Sequence, residues 1–189
     1  SGQAMAMGQK GEADVLLVHS PEAEKAFIEG GNGINRRLVM HNDFVIVGPA
    51  ADPANVRKAK TTTEAFRRIA ASSSIFVSRG DNSGTHAKEK VIWKAGAVPY
   101  EGKNWYQQTG LGMGQTLSVA AEKNGYVLTD RGTYLALKKR LNLPILFEGD
   151  AMLLNIYHVI QVNRAKWPKV NEQGARAFAD FMVSKEAQE

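Results

Sequence analysis

The sequence predicts an α/β protein, on three observations. Short apolar runs rich in Val, Ile and Leu alternate with helix-like runs along the chain. Several of the helix-like runs open on a capping residue, and glycines mark the junctions. An apolar fraction of 43% over 189 residues is ordinary for a globular protein and enough for a buried core. Because helices separate the strands, mainly parallel pairing is expected. Two strands, around 43–48 and 152–162, bracket the middle of the chain. They predict an inserted second lobe: residues 1–46 and 155–189 as lobe 1, residues 47–154 as lobe 2.

Residues 3–10 carry Ala4, Met5 and Met7 with few breakers and read as a helix, and 15–18 as a buried strand. "SPEAEKAFIEGG" is a helix with Ser20 as N-cap, Pro21 in the first turn, acids beside it and glycines at the end. "HNDFVIVGP" is a strand stopped by Gly48 and Pro49. "KTTTEAFRRIAAS" is a helix in which Thr61 and Glu64 have capping-box spacing. A strand at 75–77, a donor-rich turn and a helix at 87–95 follow. "QTGLGMGQTLSVAAEKNG" is a glycine-rich loop feeding a helix that ends at Asn124-Gly125. "YVLT" is a strand, Asp130 caps the next helix, and "PILFEGD" and "LLNIYHVIQVN" are strands. Asn171 caps a last helix from Glu172 to about Val183. Both ends read as cut. Residue 3 already lies in a helix with no strand before it, so the first strand of lobe 1 is expected to be missing, and 187–189 still reads as helix.

Composition removes several function classes. With no cysteine there is no disulfide, thiolate metal site or cysteine nucleophile. No apolar run is long enough to span a membrane. The net charge of +5 is spread over separate pairs such as Arg36-Arg37 and Arg67-Arg68, which read as solvated helix faces, so no nucleic-acid partner is expected. His19, His41, His86 and His158 are far apart and lack metal-site spacing, so neither an enzyme nor a cofactor is expected. His86 reads as an exposed first-turn histidine and His158 as a structural residue in an apolar strand.

The stretch "SRGDNSGTH", residues 78–86, is where chemistry concentrates. A helix N-terminus leaves its first amides without intrahelical partners at the positive end of the macrodipole. An anion placed there accepts several backbone bonds at once. Ser83, Gly84 and Thr85 supply short donors and close approach, and Arg79 a planar cation with forked donors. The same residues also suit a capped turn with no ligand, in which Ser83 or Asn82 caps and Arg79 pairs with Asp81. No lysine follows Gly84, so the phosphate-binding P-loop pattern is not met. Ser1-Gly2, the stretch 112–116 and the stretch 129–132 repeat the donor-rich theme at other helix starts.

The stretches "GQAMAMGQKGEADVLLVHSPEAEKAF", "NRRLVMHNDFVIVGP", "FVSRGDNSGTHAKEK", "GMGQTL" and "YVLTDRGTYLAL" cover nearly the whole chain. In them the chain resembles the periplasmic tungstate-binding proteins of ABC importers. The resemblance implies a type II periplasmic-binding-protein-like fold: two lobes joined by two crossing strands, with an oxyanion in the cleft. It implies tungstate or molybdate as ligand, a membrane permease of an ABC importer as partner, and a periplasmic location. Carried over by position, Arg79 and Thr85 are the main anion contacts, with Ser83 and Gly84 beside them. Ser1 matches a small hydroxyl position at the first helix, Gln115 and Thr116 a loop offering backbone amides, and Thr129 and Asp130 weaker positions. The family's threonine- and serine-rich stretch after its first strand has no counterpart here; Thr61-Thr62-Thr63 lies elsewhere, on a helix cap.

Tungstate, molybdate and sulfate carry no proton at neutral pH and need donors only, whereas hydrogen phosphate gains from a carboxylate that accepts its proton. Asp81 and Asp130 are the carboxylates near the motifs. Both are expected to face away, Asp81 against an arginine and Asp130 as a helix cap, because a carboxylate facing a dianion meets like charge. A phosphate- or sulfate-binding protein of the same fold, or the effector-binding domain of a transcriptional regulator, stands as the alternative.

Overall fold

The structure is a computed structural model, and it describes residues 2–189. In chain order the elements are α1 (Gly2–Gln9), β1 (Val15–Val18), α2 (Pro21–Glu29), β2 (Gly33–Val47), α3 (Thr62–Ala71), β3 (Phe76–Ser78), α4 (Gly84–Ala95), β4 (Tyr106–Gln108), α5 (Met113–Glu122), β5 (Val127–Asp130), α6 (Arg131–Leu137), β6 (Ile145–Phe147), β7 (Leu154–Val162), α7 (Glu172–Met182) and α8 (Lys185–Gln188). Contacts divide the chain into two compact units. The first runs up to His41 and resumes at Asn155; the second is the continuous segment Asn42–Leu154.

In the first unit, β1 pairs antiparallel with β7, from Val15 opposite Gln161 to Val18 opposite His158. Met5 of α1, Leu16, Val18, Phe27 of α2, Ile160 and Val162 close one core. Val39, Val159 and Ala179 of α7 form a smaller one. Ser20 stands at the cap of α2, but its hydroxyl makes no capping bond. The buried Glu24 carboxylate does that work, accepting the Ser20 amide at 2.7 Å while Arg36 and His158 approach it at 2.8 and 2.9 Å. His158 is thus a structural residue.

In the second unit, helix-linked strands run the same way. β3 is parallel to β4, with Phe76 opposite Tyr106, and a parallel bridge joins Phe76 to Tyr126 beside β5. β2 runs against both β5 and β6. The expectation of mainly parallel pairing is therefore corrected. It holds where a helix returns the chain to the same edge direction, and fails at β1, β2 and β7, whose ladders are not closed by a single helical crossover. The sequence reading also missed β4, which is three residues long, and the first part of β2.

Both faces of β2, β3 and β5 are covered in the second unit. Phe44 and Ile46 of β2, Phe76 and Leu128 pack against Phe66 and Ile69 of α3 and Ile92 and Trp93 of α4. Val45, Val47, Val77 and Val127 point the other way, onto Met113, Leu117 and Ala120 of α5 and Tyr134 of α6. Two buried faces explain why these strands read as continuous apolar runs rather than alternating ones. Trp93 is fully buried, with the Phe66 ring 4.3 Å and the Phe76 ring 5.1 Å away, so α4 is fixed on the sheet by aromatic packing. Lys88, one turn earlier on that helix, donates to the carbonyls of Met152 and Leu154 at 3.2 Å each.

Candidate functional site: a donor-rich turn at the start of α4

Ser78 ends β3 and Gly84 begins α4, so five residues make the reversal. Two of them, Gly80 and Asn82, have positive φ, 64° and 58°. Gly80 is required on a second count, since a Cβ there would lie 2.7 Å from the Cβ of Gln108. Ser83 is the N-cap: its Oγ accepts the amide of His86 at 3.3 Å. That bond uses the oxygen's lone pair, and the hydroxyl proton goes to the Asp81 carboxylate. Gly84 and Thr85 then present first-turn amides that have no intrahelical acceptor. Thr85 is 7% exposed.

Arg79 leads the turn. One guanidinium nitrogen, Nη2, donates to Asp81 Oδ2. Its Nε is buried and bonds nothing among the described residues. Asp81 in turn accepts the Ser83 amide at 3.1 Å. Burial pushes the Asp81 carboxyl up, but bonds from Ser83 and Arg79 outweigh it and hold the group below the usual carboxylate range. Asp81 is therefore a committed anion that folds back on its own turn. His86 corrects a sequence expectation: it is 6% exposed, not an exposed first-turn residue. Its Nδ1 accepts the Asn82 amide at 3.0 Å, and burial, joined by Lys90 and Arg79, holds its pKa below the ordinary histidine value. A neutral ring buttressing the left-handed Asn82 is the physical reason it is buried.

The loop after β4 clamps the turn from the side. Gly110 donates its amide to the Arg79 carbonyl at 2.7 Å, and Thr109 Oγ1 lies 3.3 Å from the carbonyls of Ser78 and Arg79. Beneath the turn is an acid that sequence reading missed. Glu89 of α4 is 1% exposed and accepts Ser78 Oγ–H and the Tyr106 hydroxyl at 2.7 Å each, with Trp93 Nε1 at 3.2 Å. Burial pushes its carboxyl up to about 7, against the pull of those three donors. Flanked by Lys88 and Lys90, Glu89 carried no sequence signal of burial.

The predicted site residues divide accordingly. Arg79, Ser83, Gly84 and Thr85 come together in one turn. Thr116 lies close by, its hydroxyl 2.9 Å from that of Thr109, but it is fully buried. Its amide donates to Gly112 and its hydroxyl to the carbonyls of Gly112 and Leu111, so the expectation of an available Thr116 amide is corrected. Gln115 is exposed in the first turn of α5, where Gly112 gives no side-chain cap. Thr129 is fully buried on β5 with its hydroxyl on the Asp130 carbonyl, and Asp130 caps α6 through the Thr133 amide at 2.8 Å. Ser1 lies outside the described residues.

Neither of two surface cavities is lined by residues of this turn. The one of about 810 Å³ in the first unit is edged by Arg36, Arg37, Arg164 and Arg176, each already facing a carboxylate. The other, of about 840 Å³, contains Trp105 and no charged side chain but Lys103. Among the described residues no group of His, Asp or Glu is arranged to hold a metal ion, and no helix is long and apolar enough to cross a membrane.

Residues 1–186 match the model of a PBP superfamily domain. The tungstate-binding protein TupA of Peptoclostridium acidaminophilum is 45% identical over 100% of this chain, which covers 66% of that protein. The TupA of Campylobacter jejuni is 44% identical over 97% of this chain, which covers 70% of it. The chain spans only 56% of a further relative, from Haloferax volcanii, that is 46% identical. The solved structure of the tungstate-binding protein TupA from Desulfovibrio alaskensis G20 superimposes with a TM-score of 0.88 at 50% identity, over 99% of this chain and 76% of that one. The chain belongs to the PBP superfamily, in the family of the TupA tungstate-binding proteins.

Proposed function

We propose that the chain binds a tetrahedral oxyanion, tungstate first and molybdate next, at the turn between β3 and α4. The observation that carries this reading is Arg79: a guanidinium held by Asp81 beside an open helix start, with a buried Nε that bonds nothing among the described residues. An ion arriving there meets the hydroxyl of Thr85, the first-turn amides of Gly84 and Thr85 and the permanent charge of Arg79. Gln115 stands at a second helix start in the same unit. Asp81 and Asp130 both spend their oxygens on their own turns, so no carboxylate waits for a phosphate proton. That supports a fully ionised anion over hydrogen phosphate. The similarity to TupA proteins supports tungstate, a periplasmic setting and delivery to the permease of an ABC importer.

Isothermal titration of the chain with tungstate, molybdate, sulfate and phosphate tests the reading. Tungstate should bind in a one-to-one ratio, and Arg79→Ala should weaken it by roughly tenfold to a hundredfold, as expected for losing one charge-assisted bond. The variant's circular dichroism should be unchanged, because Arg79 contributes nothing to either core. A folded chain that binds none of the four ions, or an Arg79→Ala variant of undiminished affinity, overturns the assignment.

A further inference from the structure

We propose that Glu89 takes up a proton as the turn above it binds its oxyanion, so that anion and proton are bound together. The inference rests on the oxyanion reading just given and adds a residue to it. Glu89 lies four residues after Thr85 on α4, hence on the same helix face one turn deeper. Three donors satisfy its carboxylate and none of them is charged. The charged and titratable groups around it are Lys90 and the buried His86 on its own helix, Tyr100 on the connection to β4 and Tyr106 on β4; β3 presents the Ser78 hydroxyl. A buried acid with no cation bonded to it is unusual, because burial disfavours the charged form.

The path from Glu89 to the turn is short. Ser78 Oγ bonds Glu89 at 2.7 Å and also accepts the amide of Gly80 at 3.2 Å, and Ser78 is the residue before Arg79. A negative charge on Glu89 is therefore one hydroxyl away from the turn at which a dianion would settle, in a medium that screens poorly. The dianion binds better over a neutral acid.

The hydrogen-bond ring fits both states. In the ionised state, Ser78 donates to Oε2 and Tyr106 to Oε1. In the protonated state, Oε2–H donates to Ser78 Oγ and Ser78 donates to the Tyr106 hydroxyl 3.1 Å away, while Tyr106 still donates to Oε1. The proton comes from solvent, and the only bond formed is the acid's O–H. Because Glu89 titrates at about 7, the uptake falls near neutral pH.

The experiment is titration of the full chain with tungstate between pH 6.5 and 8.5, in two buffers of different ionisation enthalpy. Tungstate stays fully ionised across this window, and His86, whose pKa is lowered, titrates below it. Expected is an uptake of up to one proton per ion, with the Kd rising towards tenfold per pH unit above about 7. Glu89→Gln should abolish the uptake and flatten the pH profile. Tyr106→Phe removes a donor to the ionised form and should move the fall in affinity to higher pH; it serves where Glu89→Gln does not fold. Tight binding that ignores pH, or the same uptake in Glu89→Gln as in the parent, overturns the proposal and leaves the oxyanion reading standing. No tungstate bound at any pH overturns both.

Discussion

Ser83 uses one hydroxyl twice, and that makes it the sharpest probe at the scale of a single residue. Its oxygen accepts the His86 amide, and its hydroxyl donates to the Asp81 carboxylate. Ser83→Ala loses both, with an expected cost of about 1 kcal/mol in stability, a melting temperature lower by about 2–4 °C, and weaker tungstate binding. Ser83→Asp keeps a capping oxygen and so should melt close to the parent, yet it places a carboxylate against the ion and should bind far less. If Ser83→Asp binds tungstate as the parent does, the ion is not at this turn. The neighbouring Asp81 behaves differently with pH. Its pKa is depressed in the fold, so the stability it contributes is present above the ordinary carboxylate value and is lost only as the solution becomes strongly acidic.

At the scale of the element, the turn is shaped by backbone geometry more than by its ligand groups. Gly80→Ala combines a left-handed backbone with a Cβ pressed on Gln108, so a cost of at least about 1–2 kcal/mol is expected. Hydrogen exchange should then rise in both 78–86 and 106–110, because the two segments share the strained contact; a change confined to the first would separate them. Much of this element could be read in advance. Ser83, Gly84 and Thr85 have helix-start chemistry whatever the surroundings, and Arg79 with Asp81 is a local pair. The rest was hidden for physical reasons. β4 is too short to show a period, so Thr109 and Gly110 carried no signal of touching Arg79. Glu89 sits between Lys88 and Lys90 in sequence and looks like part of a solvated charged face; only tertiary packing reveals that it points inward. Thr116 followed the pattern of an available helix-start donor, but burial had already assigned its bonds.

For the molecule as a whole, the alternation of strands and helices was legible because β2, β3 and β5 of the second unit are covered on both faces and so read as apolar runs. Strand direction was not legible, since β2 runs opposite to the strands that helices connect and no local pattern encodes that. The division of the chain has a consequence for how it acquires its structure. One unit is a single uninterrupted segment, whereas the other needs residues before His41 to find residues after Asn155. Closing that long loop is entropically slower than the local pairings within Asn42–Leu154. Pulse-labelled hydrogen exchange during refolding should therefore protect β3, β5 and α4 before β1 and β7, and simultaneous protection would refute the order. On a ribosome the same asymmetry means that the segment bearing Arg79 can organise while the partner strand of β1 is still unsynthesised.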